Sequence, residues 1–209
     1  MLIAVDGPAA AGKGTLTRKL AAHFDLARLD TGLIYRAVGL KALELGDPSN
    51  TEIAVKAAQS LAFSDLDQGG LRDEAAGNAA SKVAAIPAVR DILLTFQRDF
   101  AAIPPDNKRG AVLDGRDIGT VVCPDAPYKF FIEASPEVRA ERRYKELQDR
   151  GEEAIRSAIL RDILDRDERD RSRTVAPLEP AKDALVLDTT DLDADAVFAA
   201  ALNFISSQD

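Results

Sequence analysis

The order of elements along the chain predicts an α/β protein built on a parallel sheet. Three observations carry that class. Short apolar runs alternate with amphipathic helical patterns throughout. The predicted strands Leu2–Asp6, Ala27–Asp30, Ala111–Asp114 and Leu185–Asp188 each end in Asp before a small or polar residue, and Lys129–Glu133 ends in Glu before Ala134-Ser135. The first strand runs directly into the glycine-rich stretch Gly7-Pro8-Ala9-Ala10-Ala11-Gly12-Lys13-Gly14-Thr15. In doubly wound sheets the ligand sits beyond the strand C-termini, so Asp6, Asp30, Asp114 and Asp188 are candidates for one rim. Helix capping and turn chemistry are the alternative uses of such acids. Asp188, before Thr189-Thr190, reads as the latter.

Helices are predicted over 13–24, 33–45, 51–62, 74–84, 88–102, 136–150, 153–171 and 193–206. The first carries Leu16, Leu20 and Phe24 on one face. Ser135 before Pro136 reads as an N-cap followed by proline at the first helical position. Residues 63–73 read as a loop turned by Gly69-Gly70. No fixed-period repeat is present, and low complexity is confined to alanine-rich helices.

Composition narrows the function classes. A chain of 209 residues with 46% hydrophobic content suffices for one domain with a full core and excludes wholesale disorder. The net charge of −8 argues against a nucleic-acid coat or tail binder. Leu2-Ile3-Ala4-Val5 is too short for a signal peptide or a membrane span, as is every later run, so a soluble, cytoplasmic protein with no membrane partner is expected. The lone Cys123 allows no internal disulfide and no cysteine-based zinc cluster; it reads as a small buried apolar residue. The acidic surface shows no obvious apolar patch, and a monomer is expected.

Strand, glycine-rich loop and helix are the context of a phosphate-binding P-loop. Glycines let successive N–H groups curl inward, and the helix N-terminus adds partial positive charge. Lys13 can reach the outer phosphates. The common pattern places Ser or Thr directly after the lysine; here Gly14 intervenes, and Thr15 takes the hydroxyl role toward Mg²⁺.

Two further constellations carry charge. Asp114-Gly115-Arg116-Asp117-Ile118-Gly119-Thr120 follows a strand, where an acid can organise Mg²⁺ through water and Arg116 presents a planar fork to a phosphate. A tight turn with an ion pair is the plainer alternative. Residues 139–173 hold 11 of the 27 Lys+Arg and 10 of the 35 Asp+Glu, about +1 against about −9 for the remainder. Within them Ile155, Ile159, Ile163, Arg166, Asp170 and Arg173 step by 4, 4, 3, 4 and 3 and share one helical face. That face begins apolar and ends as an anion-binding wall, while Arg169 and Arg171 point away and pair with Asp165, Asp167 or Glu168. Arg139, Arg142 and Arg143 lie on the preceding helix. With Arg150-Gly151-Glu152 as the break, the two helices read as an arginine-bearing flap that excludes water over phosphates. A solvated, ion-paired helix surface is the bland alternative. His23 reads as a surface or edge residue.

These residues together resemble nucleoside monophosphate kinases, and more narrowly the bacterial cytidylate kinases, over nearly the whole chain. The marks are Asp6-Gly7-Pro8 with Gly12-Lys13-Gly14-Thr15; Leu29-Asp30-Thr31-Gly32 with Ile34-Tyr35-Arg36; Asn78-Ala79-Ala80-Ser81; Asp114-Gly115-Arg116-Asp117 with Gly119-Thr120-Val121-Val122; and Arg166-Asp167 through Asp170-Arg171 with Arg173 and Ala176-Pro177-Leu178. The resemblance implies a P-loop kinase core with a five-stranded parallel sheet flanked by helices, a small monophosphate-binding insertion and a short lid. The core is expected over 1–35, 86–143 and 158–209, the insertion over 36–85 and the lid over 144–157. It implies transfer of the γ-phosphoryl group of ATP to CMP or dCMP with Mg²⁺, ATP binding by Gly7 through Thr15, and Thr15 as the metal residue. It assigns Thr31, Tyr35, Arg36, Ser81, Arg90, Arg116, Asp117, Arg166, Asp170 and Arg173 to CMP. Lys13, Arg142, Arg143 and Arg166 are the implied catalytic residues. The family's small β-element before Asn78 is missing from 63–77, so a trimmed insertion is expected. Segments 63–77 and 145–155 are the expected mobile parts.

Two other readings compete. Another small-molecule P-loop kinase, such as an adenylate or shikimate kinase, would differ at Ser81, Arg90, Arg116 and Asp117. A nucleotide-binding switch would need an Asn-Lys-x-Asp element, and Asn107-Lys108-Arg109-Gly110 lacks the acid.

Overall fold

The computed structural model describes residues 1–71 and 73–208. Arg72, inside the expected 63–73 loop, and Asp209 lie outside the described residues. The chain divides into two compact units, Met1–Arg28 with Pro104–Asp209, and Leu29–Ile103.

The first unit is organised by the sheet, whose strand order is β2-β3-β1-β4-β5. The strands are β1 (Leu2–Asp6), β2 (Ala27–Asp30), β3 (Ala111–Gly115), β4 (Tyr128–Glu133) and β5 (Leu185–Asp188), each within one residue of its predicted bounds. β1 pairs in parallel with β3 from Leu2↔Ala111 to Asp6↔Gly115, and with β4 from Ile3↔Tyr128 to Asp6↔Phe131. β4 pairs with β5 from Phe130↔Leu185 to Glu133↔Asp188. These registers bring the C-terminal ends of β1, β3, β4 and β5 to one edge, so Asp6, Asp114 and Asp188 share the expected rim.

Helices α1 (Lys13–Phe24), α6 (Pro136–Asp149), α7 (Arg156–Arg171) and α8 (Ala194–Gln208) complete this unit. Leu16 and Leu20 of α1 and Val197, Ala201 and Ile205 of α8 join Ile3, Val5, Phe130 and Ile132 in one apolar core. Its buried β1 residues Ile3, Ala4 and Val5 show why a central parallel strand reads as a continuous apolar run. A smaller core of Ala140, Ile159 and Ile163, with Tyr144 and Leu147 against it, packs α6 on α7. Ser135 caps α6 by accepting from the Val138 amide at 3.3 Å, with Pro136 in the first turn.

α7 starts at Arg156, not 153. The cause is the end of α6. Gly151 takes φ 74°, and the Glu152 amide bonds back to the Leu147 carbonyl at 3.0 Å, the pattern of a glycine-terminated helix. Ile155 therefore stands at the N-cap, 70% exposed, and does not join the apolar stripe. Arg173 lies beyond the Ser172 cap, so the stripe ends at Asp170.

The second unit contains α2 (Thr31–Leu45), α3 (Thr51–Gln59), α4 (Glu74–Val83) and α5 (Pro87–Ala102). Among its described residues no strand occurs beyond the end of β2. α2 packs on α4 so closely that a Cβ at Gly39 would lie 2.7 Å from the Ala80 nitrogen. The predicted loop at 63–73 contains a 3₁₀ turn, Phe63–Asp67. Asp65 fixes it, accepting from the Ala62 amide at 2.7 Å and from the Lys41 ammonium at 2.7 Å. That Lys41 contact, with the amide bond, holds the Asp65 carboxyl below its ordinary range. Asn50 caps α3, and Ser60 ends it earlier than the predicted 62.

Candidate functional site

The glycine-rich loop is shaped by close backbone approach. A Cβ on Gly7 would lie 1.9 Å from the Ile132 carbonyl oxygen, and φ there is +141°. Only glycine lets β1 turn past β4 at that point. Ala10 takes φ 58°, and Gly12 caps α1 at φ 103°. Lys13, 7% exposed, donates from Nζ to the Pro8 carbonyl at 2.6 Å, across the loop it belongs to. Thr15, in the first turn of α1, accepts from Arg18 Nη2 at 3.1 Å.

Around the loop lie four groups of polar residues, all within the first unit. In the first, Asp114 is committed. Its Oδ2 accepts from Thr17 Oγ1 at 2.8 Å and Arg28 Nη2 at 3.0 Å, while Arg28 Nε donates to Thr17 at 2.8 Å. This network ties α1 to β3 and was not foreseen, because Thr17 and Arg28 belong to no motif. Direct Mg²⁺ chemistry at Asp114 would compete with these bonds.

In the second, Asp6 accepts from the Ile118 and Gly119 amides at 2.7 Å each, pinning the turn that follows Asp117. The turn is π-helical: Val122 and Cys123 amides reach back five residues, to Asp117 and Ile118 carbonyls, at 3.1 and 2.7 Å. Burial pushes the Asp6 carboxyl up to about 6, against the pull of those two amides. An unfolded Asp titrates near 3.8. Between those values the folded chain holds a proton that the unfolded chain has lost, so this group's contribution to stability falls as pH rises through the window. The Ile118 and Gly119 amide resonances are expected to titrate together with a midpoint near 6, followed by two-dimensional NMR, and Asp6→Asn should abolish the transition. Amides insensitive to pH from 5 to 7 would contradict the assignment.

In the third, Arg116 does not pair with adjacent Asp117 but donates from Nε to Asp170 Oδ2 at 2.9 Å. Arg173 donates to Asp170 Oδ1. Asp170 is 1% exposed. Burial alone would raise its carboxyl, but Arg116, Arg173 and Arg166 outweigh it and hold it below the ordinary value. Asp117 is also buried. The structure thus brings Arg116 and Arg173 together on Asp170, the charged end of the α7 stripe.

In the fourth, Arg142 donates to the Thr189 carbonyl at 2.6 Å, to Thr189 Oγ1 at 2.9 Å and to the Ala11 carbonyl at 3.4 Å. Burial draws its guanidinium below the ordinary value. Thr189 Oγ1 in turn donates to Ala11 O at 2.9 Å. These residues, with Gly12, Thr15, Leu16, Leu192, Asp193 and Val197, line a cavity of about 240 Å³ beside the loop. Thr189 and Leu192 carried no signal beyond the turn chemistry of Asp188, which accepts from Thr190 at 2.9 Å as expected. Arg143 pairs with Glu146 at 2.9 Å.

Two readings of this region need correction. Arg139 is not a flap residue at the surface but is 1% exposed, and Asp167 is not a solvated partner of Arg169 or Arg171 but is 4% exposed and bound to Arg139. Helical spacing alone left Asp167 beside those exposed arginines, because its partner lies on another helix.

The second unit, taken by itself, gathers Thr31, Tyr35 and Arg36 on α2, Ser81 on α4 and Arg90 on α5. The Arg90 guanidinium stands 5.9 Å from the Tyr35 ring centroid and is buried. Arg36 donates to the Leu71 and Asp73 carbonyls at 2.9 and 3.1 Å. Elsewhere, His23 is exposed and packs edge-on against Phe24 and Phe198, and Cys123 is buried with a free thiol. No described helix is long and apolar enough to cross a membrane.

A parallel sheet whose first strand feeds a glycine-rich loop and a helix headed Lys13-Gly14-Thr15 defines a P-loop protein. The family model described as cytidylate kinase matches residues 3–207. The cytidylate kinase of Paramagnetospirillum magneticum is 61% identical over 208 residues, covering 99% of this chain and 98% of that protein. That of Methylocella silvestris is 57% identical over 208 residues, covering 99% and 94%. The chain belongs to the cytidylate kinase family. A crystal structure of an uncharacterized protein from Eubacterium ventriosum superposes with a TM-score of 0.58 at 14% identity, covering 99% of both chains, a likeness of fold alone.

Proposed function

We propose that the protein transfers the γ-phosphoryl group of ATP to CMP or dCMP, forming ADP and CDP or dCDP. The observation that carries this reading is the family match across residues 3–207. Another small P-loop kinase is not favoured by it. The test is chromatography of the protein with ATP, Mg²⁺ and CMP: CDP and ADP should accumulate in equal amounts, and absence of CDP contradicts the reading.

The donor's phosphates are assigned to the loop from Gly7 to Thr15, whose amides and helix N-terminus favour an anion. Its base is assigned to the cavity beside Gly12, where Leu16, Leu192 and Val197 supply apolar surface and Arg142 a planar cation. Mg²⁺ fits the oxygen donors here. Thr15 offers a hydroxyl, and no group of three or more His, Cys, Asp or Glu side chains poised for a metal occurs among the described residues. That suits an ion held mainly by water and substrate phosphates. When bound it supplies charge neutralisation.

The acceptor CMP is assigned to Thr31, Tyr35, Arg36, Ser81, Arg90, Arg116, Asp117, Arg166, Asp170 and Arg173. The Asp117 carboxylate suits the N4 amino donor of cytosine and opposes the O4 acceptor of uracil. Asp170 fixes Arg116 and Arg173 toward the phosphate and sugar. No general base is needed, since the attacking phosphate oxygen is already ionised. Lys13, Arg142, Arg143 and Arg166 offset developing charge. The insertion is assigned to 36–85 and the lid to 144–157, in a cytoplasmic monomer. Both segments close on substrate: hydrogen exchange at 63–77 and 145–155 should slow with CMP plus a non-hydrolysable ATP analogue, and unchanged exchange would contradict closure.

A further inference from the structure

The largest side chain with almost no exposure is an arginine with no phosphate role in the reading above. Arg139, in the first turns of α6, is 1% exposed and reaches three segments at once. Its Nε donates to the Ala134 carbonyl at 2.9 Å, where the chain leaves β4. Its Nη1 and Nη2 grip both oxygens of Asp167 on α7, at 3.0 and 2.5 Å. Nη1 also reaches the Ala9 carbonyl of the glycine-rich loop at 3.3 Å. Three residues on, Arg142 donates to the Ala11 carbonyl at 3.4 Å. The two gripped carbonyls flank Ala10, which holds a left-handed φ of 58°. A non-glycine residue keeps that conformation only where its surroundings over-determine it.

A guanidinium has five donors and no acceptor, so it can draw carbonyls toward itself but can take no bond from an amide. Carbonyls turned toward α6 leave the loop's amides free to face the opposite way, which is what an anion requires. A buried ion pair is also a poor device for stability alone, since well-packed apolar residues serve as well. We propose that Arg139, held by Asp167, is a positioning residue for the donor nucleotide: it sets the curvature of Ala9-Ala10-Ala11 and ties the loop to α7, the helix that carries Arg166 and Asp170. The proposal rests on the reading of residues 7–15 as the donor-phosphate site.

The experiment removes both charges together, because removing one would bury the other unpaired. In Arg139→Met/Asp167→Leu, circular dichroism and thermal melting are measured first, then ADP affinity by calorimetry and the KM for each substrate. A folded double variant is expected to bind ADP about tenfold more weakly and to raise the KM for ATP by a similar factor, with the KM for CMP changed less than about twofold. Should the double variant not fold, Arg139→Lys, which keeps the charge beside Asp167 and loses the planar fork, reads the same split. ADP affinity within twofold of the parent in a folded variant overturns the proposal, as does an equal rise in both KM values. If the parent itself fails to bind ADP, the reading of the loop falls, and the proposal with it.

Discussion

Lys13→Met should lower kcat by about 10³-fold, with a smaller rise in the KM for ATP. Phosphoryl transfer asks little covalent chemistry of the protein, so most of the rate comes from placed charge. Lys13 is the one cation carried within the loop itself, buried at the head of α1, where its charge is screened least. Methionine keeps the apolar stem and removes only the ammonium. The fold should survive, because the ammonium donates to the Pro8 carbonyl of the loop itself and the apolar stem is kept. A coupled ADP-release assay at saturating ATP and CMP reads kcat, and thermal melting controls for stability. A loss of less than tenfold would mean that Lys13 does not face the transferred group.

Asp170→Asn should raise the KM for CMP by about 100-fold and leave the KM for ATP within a few-fold. The carboxylate is buried between two arginines, and its charge keeps Arg116 and Arg173 in one orientation. Asparagine keeps the shape and one acceptor but leaves two guanidiniums without their counter-charge. Breaking a buried pair in this way typically costs about 3 kcal/mol, so the melting temperature should fall as well. The pH dependence separates this from a general loss of fold. Because the folded-state pKa of Asp170 lies below the ordinary value, its contribution is complete above about pH 4 and is lost as pH falls through the lowered value. Asp170→Asn should therefore remove part of the parent's acid destabilisation. Equal rises in the two KM values would place Asp170 in the core's stability and not in acceptor binding.

The parts of this structure that follow from local pattern were legible in the sequence. Strand bounds came from apolar runs closed by an acid, and the loop from Gly7, Gly12 and Lys13, whose chemistry depends on neighbours a few residues away. What was not legible depends on partners remote in sequence. Arg139 and Asp167 are 28 residues apart, and Thr17 and Asp114 are 97 apart. Each sits among charged or polar neighbours that offer a plausible local partner, so spacing alone assigned Asp167 to the surface. The π-helical turn at Ile118–Val122 gave no periodic signal, because it is held by the Asp6 carboxylate. The start of α7 was misplaced for a backbone reason, the left-handed Gly151 and the bond it allows from Glu152.

The most direct measurement is a coupled ADP-release assay with ATP, Mg²⁺ and a panel of CMP, dCMP, UMP and AMP. Turnover concentrated on CMP and dCMP, with kcat/KM for UMP lower by about 10²-fold or more, is the expected result, since a carboxylate facing the uracil acceptor would be left unpaired. Preference for AMP or UMP would contradict the assignment of Asp117 to cytosine and, with it, the acceptor proposed for this chain.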